Sequence, residues 1–302
     1  MTTGRRLALA TGGLIGLGSA VTAGAWVEAR AFILRRVDVP VLPWGSSEIR
    51  VLHLSDIHQM PYQKRKLRFV ASLGALNPDL VITTGDNISS PDAIEPLLEA
   101  LAPLLKRPGA FVFGSNDFTA PSFRNPAGYL VRNSTVSANN KEPLPTWRLQ
   151  GALTDAGWAY LDNASARLSV AGRTIDLRGT GDAHNKLDNY AAVSGPLAAD
   201  ADLSLGVTHA PYRRVLDAMT ADGLQMIFAG HTHGGQVCLP VNRAIVDNCD
   251  LPLEQASGLS TWGAGAKASW LHVSAGIGTS PTAPIRLFCR PEATLLRLIA
   301  RS

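Results

Sequence analysis

Ile49-Arg50-Val51-Leu52-His53-Leu54 runs directly into Ser55-Asp56-Ile57-His58, and the meaning of this stretch governs the rest of the chain. A short apolar run closed by polar residues reads as a buried strand whose end delivers an aspartate and a histidine. The arrangement recurs. Leu80-Val81-Ile82-Thr83-Thr84 ends at Gly85-Asp86-Asn87, and Phe111-Val112-Phe113 ends at Gly114-Ser115-Asn116-Asp117. Leu203-Ser204-Leu205-Gly206-Val207 leads to Thr208-His209, and Leu224-Gln225-Met226-Ile227-Phe228 leads to Gly230-His231-Thr232-His233. Helical patterns separate the runs. Leu67, Val70, Ala71 and Gly74 share one face, and Ser90 as N-cap with Pro91 in the first turn opens a stripe of Ile94, Leu97, Leu98, Leu101 and Leu105. Strands alternating with helices predict an α/β fold.

Composition narrows the class. With 302 residues, 46% hydrophobic and 17% charged, the chain is globular, and its 28 Gly and 19 Pro follow no repeat period, which predicts one large domain rather than a solenoid. Residues 1–36 hold five arginines against one acid, which is the whole net charge of +4, and the remainder carries 23 basic and 23 acidic residues. A phosphate-tracking groove needs a basic surplus, so no nucleic-acid partner is expected.

The N-terminal 36 residues read as a membrane segment, with residues 37–48 as a linker and 49–302 as the working domain. Leu7 to Val27 carries no formal charge over 21 residues, and as a helix it would span about 30 Å, the hydrocarbon core of a bilayer. Arg5-Arg6 and the small residues Ala23-Gly24-Ala25 equally fit a secretory signal that is removed. Either reading places the domain at or across a membrane, and an extracytoplasmic location is expected. Gly12, Gly16, Ala20 and Gly24 recur every four residues, as in closely packed helices and as chance in a Gly/Ala-rich stretch allows. Cys238, Cys249 and Cys289 lack CxxC spacing. They read as buried unpaired thiols, with a Cys238–Cys249 disulfide as the alternative in an exported domain.

Chemistry enters through the strand ends. Four of the seven histidines (His58, His209, His231 and His233) close predicted strands beside Asp56 and Asp86. In an α/β sheet those ends meet along one edge. A carboxylate such as Asp86 can bridge two cations, and the mixed nitrogen and oxygen donor set suits Mn, Fe or Zn. His53 and His272 lie inside apolar runs and read as hydrogen-bonded core residues. A serine hydrolase would show Gly-x-Ser-x-Gly and a zinc protease His-Glu-x-x-His, and the sequence has neither.

Asp56-Ile57-His58, Gly85-Asp86, Gly114-Ser115-Asn116-Asp117, His209 and Gly230-His231-Thr232-His233 resemble, in order and spacing, the blocks of the calcineurin-like metallophosphoesterase superfamily, and within it the bacterial membrane-tethered branch. Val273-Ser274-Ala275-Gly276-Ile277-Gly278 extends the resemblance toward the C-terminus. It implies a four-layer α/β/β/α sandwich with a dinuclear site at the C-terminal ends of the strands. Asp56, His58, Asp86 and His233 would hold one metal, and Asp86, His209, His231 and an asparagine the other. The expected reaction is hydrolysis of a phosphoester, a phosphodiester above all, by attack of a metal-bridging hydroxide.

One block departs from the pattern. The family shows Gly-Asn-His where this chain has Gly114-Ser115-Asn116. Ungapped, Ser115 takes the ligand position and Asn116 replaces the histidine that assists catalysis. With a backbone shift, Asn116 itself coordinates, and the better donor of its amide oxygen favours that arrangement. Asn116 and Ser115 are therefore the catalytic candidates, and neither is a general acid at neutral pH. Esters with good leaving groups are the expected substrates. Arg124, Arg132 and Lys141, between Phe118 and Trp147, read either as an anion-meeting lid or as a solvated loop. Gly179-Thr180-Gly181-Asp182-Ala183-His184 reads as a turn, with His184 as a substitute acid in the alternative. Tethering at a bilayer points to a lipid-linked or cell-envelope phosphoester. The rival reading is a degenerate form of the same fold that serves as a non-catalytic membrane-bound binding module.

Overall fold

A computed structural model describes residues 18–121, 142–241, 243–279 and 283–301. Residues 18–28 form helix α1. The strand read from Ile49 is β2 (Ile49–Leu54), flanked by β3 (Leu80–Thr83), β4 (Gly109–Phe111) and β5 (Ala159–Tyr160) in parallel. On its other side β14 (Glu292–Ala300) runs antiparallel to β2 and parallel to β1 (Ile33–Leu42), giving the order β1-β14-β2-β3-β4-β5. A second sheet is built from β6 (Ser165–Val170), β7 (Arg173–Gly179), β8 (Leu203–Val207), β9 (Met226–Ala229), β12 (Gly258–Trp262) and β13 (Ser269–Val273), in the order β12-β13-β9-β8-β7-β6. It is parallel from β13 to β7 and antiparallel at both outer strands. A short hairpin, β10 (Cys238–Leu239) with β11 (Arg243–Ala244), follows the loop that carries His231 and His233.

Alternation along the strands sorts side chains between layers, because successive residues point to opposite faces. Val51, Leu80, Ile82, Leu205 and Phe228 pack between the two sheets, while Leu52, Leu54 and Val81 face α2 (Lys64–Ser72), α3 (Ile94–Leu105) and α5 (Thr146–Asp155). Ile227, Ala229, Leu271 and Val273 face α6 (Arg213–Ala221) on the opposite outer side. Central strands buried on both faces explain the uninterrupted apolar runs in the sequence. Ser90 accepts a hydrogen bond from the Asp92 N–H at 3.3 Å at the turn leading into α3, the cap expected there.

Two expectations change. Residues 37–48 are not simply a linker, since β1 pairs with β14 from Ile33↔Glu292 onward and Val39, Val41 and Leu42 are buried between the sheets. Val37, Val39 and Val41 alternate with polar or proline residues, and an edge strand tolerates Pro40. The β4 ladder ends at Phe111, two residues before the predicted run does, because Phe113 N–H donates to Asp162 Oδ1 at 3.1 Å and not to a neighbouring strand. Among the described residues no helix is long and apolar enough to cross a membrane. Most of the Leu7–Val27 run lies outside the described residues, as do Arg124, Arg132 and Lys141. The cysteines are free and buried, and Cys238 shares an apolar cluster with Cys289 while Cys249 belongs to the cluster under α6.

Candidate functional site

The loops leaving β2, β3, β4, β8 and β9 converge at one edge of the two sheets. They turn sharply there. Asp56 (φ 48°), His58 (φ 44°), Asp86 (φ 55°), His231 (φ 69°) and His233 (φ 51°) all adopt left-handed backbone, and they are five of the eleven non-glycine residues that do so among those described. Each such residue costs about 1–3 kcal/mol, and this kind of strain gathers where side chains must be aimed. Glycine is required beside them. A Cβ on Gly114 would collide with the Asp86 carboxylate and His209, and one on Gly230 with Ser55 and Asp56.

The side chains meet as two donor groups, Asp56 with His58 and His233, and Asp56 with Asp86 and His209, in each of which the donor atoms lie within 4.8 Å of one another. His58 Nε2 and His233 Nε2 are 3.2 Å apart, and His58 Nε2 is 3.3 Å from Asp86 Oδ2. Two nitrogens bound to one ion at about 2.1 Å sit about 3.0–3.4 Å apart, so this spacing fits a shared cation. His209 Nδ1–H donates to the Thr84 carbonyl at 2.6 Å, so once the ring is neutral its lone pair is on Nε2. That Nε2 has no hydrogen-bond partner and faces Asp86 Oδ2 at 3.5 Å, the tautomer a metal requires. His231 stands at the wall of the site, its ring 5.1 Å from that of His209, its backbone N–H on Asp56 and its buried Nε2 without a hydrogen-bond partner.

Charge is arranged to receive a cation. Burial pushes Asp56 up to about 6 against the pull of His209. Asp86 is equally buried, yet His209 and His58 hold it below the usual carboxylate range. Burial opposes the charge of His209, but Asp86 and Asp56 outweigh it and raise His209 to about 9. Burial lowers His58 to about 4 and, together with neighbouring histidines, drops His231 and His233 far below their ordinary value. One imidazolium thus sits between two carboxylates among otherwise neutral histidines.

Asn116 reaches the site from α4 (Ser115–Phe118), a single helical turn. Its backbone N–H donates to Asp86 Oδ1 at 2.8 Å and its amide to Asp86 Oδ2 at 2.6 Å, whereas Ser115 Oγ lies 3.4 Å from that amide. The fold therefore brings Asn116, and not Ser115, against the central carboxylate. His184 is more than a turn residue. Its ring lies 4.5 Å from that of His231, it is exposed, and its Nδ1 shares a 3.0 Å hydrogen bond with the Tyr212 hydroxyl. Asp182 fixes the loop by accepting from the His184 N–H at 3.0 Å.

Sequence reasoning missed the groups that hold these loops. Lys66 is buried, and its Nζ donates to the carbonyls of Ile57 (2.5 Å) and His58 (3.0 Å) and to Gln63 Oε1. Arg286, also buried, donates to the carbonyls of His233, Ala275, Gly276, Gly278 and Cys289. Asp117 accepts from the N–H groups of Asp86 and Asn87, each at 2.7 Å, and of Ile88 and Gly114. A buried lysine on the apolar face of α2 was the one available signal, since Lys66, Val70 and Leu73 share helical spacing.

Comparison with known proteins agrees with this geometry. A calcineurin-like phosphoesterase family model matches residues 49–235. The chain is 24% identical over 310 residues to phosphodiesterase YaeI of Escherichia coli K12, covering 99% of this chain and 100% of that protein. It is 24% identical over 266 residues to YkuE of Bacillus subtilis 168, described as an uncharacterized metallophosphoesterase, covering 85% of this chain and 82% of the other. A Danio rerio protein described as a transmembrane protein with a metallophosphoesterase domain is 26% identical over 210 residues, covering 67% of this chain and 44% of its own length.

Proposed function

The chain belongs to the calcineurin-like phosphoesterase family and is a phosphoester hydrolase, and from that premise we propose that it cleaves phosphodiesters with two divalent cations at the sheet edge. Asp56, His58, Asp86 and His233 would hold one, and Asp86, His209, His231 and Asn116 the other, with Mn, Fe or Zn suited to the donors. Bound there, the pair supplies a nucleophile from water at neutral pH and Lewis-acid polarisation of the phosphoryl group. The chain's own residues do the rest. Asp86 is the shared carboxylate, held by the Asn116 backbone and amide. Asn116 has no proton to give at neutral pH, and His184, exposed beside His231, is placed to hydrogen-bond a substrate oxygen. The preferred substrates therefore carry good leaving groups.

The observation that carries this reading is the His209 tautomer, which is fixed by Thr84 and leaves an unpartnered Nε2 beside Asp86. The test is hydrolysis of an activated aryl phosphodiester with Mn alongside metal analysis of the full chain. Two ions per chain and turnover abolished by Asp86→Asn support it. Absence of turnover with every divalent metal favours the non-catalytic binding module and overturns it.

The membrane segment belongs to the same proposal, as an anchor that is retained in the membrane-tethered manner. Ala25 is 4% exposed and its carbonyl accepts from the Arg286 N–H at 3.0 Å, while Glu28 accepts from the backbone of Phe288 and Cys289. Cleavage after Ala25 would remove part of that seam. Val21, Trp26 and Val27 remain exposed on α1, continuing the uncharged run toward a lipid surface. A phosphoester carried by a lipid or envelope polymer is then within reach. Recovery of the intact N-terminus from a membrane fraction supports this, and a soluble chain beginning at Trp26 excludes it.

A further inference from the structure

His53 and His272 come from different sheets and are both buried. Their Nδ1 atoms are 2.8 Å apart, and His53 Nε2 lies 3.0 Å from Thr84 Oγ1. Thr84 Oγ1 is 2.6 Å from Ser55 Oγ, which is 2.5 Å from Asp56 Oδ2. The series ends on a carboxylate, and this fixes its direction. An ionised Asp56 only accepts, so Ser55 donates to it, and the single Ser55 proton is then committed. Ser55 must accept from Thr84, and Thr84 from the Nε2–H of His53. A neutral His53 with its proton on Nε2 accepts at Nδ1, so His272 carries its proton on Nδ1. Burial keeps both rings neutral, with His272 pushed down to about 3.

Asp56 is common to both donor groups, and its Oδ2 also receives the His231 N–H at 3.0 Å. In the proposed assignment it holds one ion directly, and its carboxylate also lies within 4.8 Å of the donor atoms of Asp86 and His209, so its orientation bears on both groups. A hydrogen-bonding group one step behind a ligand sets the ligand's aim and basicity, and removing such a group typically costs 10–100-fold in metal affinity. His53 and His272 look like core packing in the sequence, yet a core pair needs no polar path leading out of it.

We propose that His272 and His53 are positioning residues, the origin of a one-way hydrogen-bond relay through Thr84 and Ser55 that fixes the Asp56 carboxylate for metal binding. This rests on the reading of Asp56 as a metal ligand. The first measurement does not depend on that reading. Long-range ¹H–¹⁵N spectra of the full metal-free chain should show His53 protonated at Nε2 only and His272 at Nδ1 only, and the opposite tautomers or an imidazolium overturn the relay. The second is Mn titration followed by electron paramagnetic resonance. His53→Phe should weaken Mn binding about 10–100-fold. His53→Gln, whose amide N–H can replace the Nε2 donor, should restore it to within about threefold of wild type, a difference that packing alone would not produce. His53→Phe that melts earlier but binds Mn like wild type overturns the proposal. Wild-type protein that binds no Mn while showing the expected tautomers refutes Asp56 as a ligand and, with it, the metal role proposed for the relay.

Discussion

The two rims of the site solve the same problem with opposite charges. Along the rim formed by residues 56–58 and 275–278, the left-handed turns free carbonyl groups, and two buried cations, Lys66 and Arg286, take them. Along the rim formed by residues 86–88 and 114, the turns free N–H groups, and one buried anion, Asp117, takes four of them. Backbone that leaves a ladder inside a protein still has to be satisfied. Aiming five candidate ligands through sharp turns thus creates a second requirement, for charged side chains that hold the freed backbone groups. The cationic rim carries two brackets and the anionic rim one, so damage should propagate differently from each.

Arg286→Met should have the largest effect. It leaves the carbonyls of Ala275, Gly278 and Cys289 without a donor and takes one donor from those of His233 and Gly276, and even with partial rescue by water the loss should be about 4 kcal/mol. His233, whose carbonyl Arg286 holds, should lose its share of the first donor group. Urea unfolding and metal analysis check both effects. Lys66→Met, with two carbonyls released, should cost about 2 kcal/mol, and equal losses from the two variants would show that the cationic rim is not organised as described.

Asp117→Asn sharpens the comparison from the other side. An amide presents one acceptor oxygen to four N–H donors and brings an N–H of its own toward them, so a loss of about 2–3 kcal/mol is expected in urea unfolding. Asp86 lies in the loop released, so turnover should fall while the Asp56–His58–His233 group keeps its metal. Retention of both ions with full turnover would mean that the anionic rim is dispensable.

What the sequence revealed and what it concealed divide along the same line. Asp56, His58, Asp86, His209, His231 and His233 were legible because strand periodicity announces where a run ends, and these side chains stand at those ends. Arg286 was not, because it lies in a stretch without helix or strand period, and its acceptors are carbonyls, which no residue type reports. β1 was hidden by Pro40, although Val37, Val39 and Val41 alternate as a strand should. Ser115 against Asn116 was a question of one residue of register in a four-residue turn, and that is set by how Asp117 docks onto the loop after β3. His184 reads as part of a turn because its neighbour in space, His231, is 47 positions away in sequence.

Metal affinity should depend on pH in a direction fixed by His209. Asp86 and Asp56 raise it to about 9, so below that pH a cation must displace its proton, and Asp56, pushed up to about 6, adds a second proton to displace at lower pH. Affinity should rise with pH by up to about tenfold per unit between 6 and 9 and level off above. Isothermal titration in buffers of different ionisation enthalpy should show about one proton released per chain at pH 7.5. A flat profile would mean that His209 is not a ligand, leaving the Asp56–His58–His233 group as the better candidate of the two.

The smallest effect tests the finest distinction, which of two adjacent residues serves the site. Asn116→Ala removes the amide that lies 2.6 Å from Asp86 Oδ2 while sparing the backbone N–H on Oδ1, so Asp86 keeps one of its two hydrogen bonds from this turn. A lost hydrogen bond to a charged group is worth about 1.5–3 kcal/mol, which sets the expected drop in kcat/KM at about 10–100-fold. Ser115→Ala removes a hydroxyl whose contact with the Asn116 amide is long, at 3.4 Å, and the drop should stay below about twofold. The ratio between the variants is the informative quantity, because general loosening of α4 would lower both together. Equal losses, or a larger one from Ser115→Ala, would move the ligand position back to Ser115 and with it the register of the whole turn.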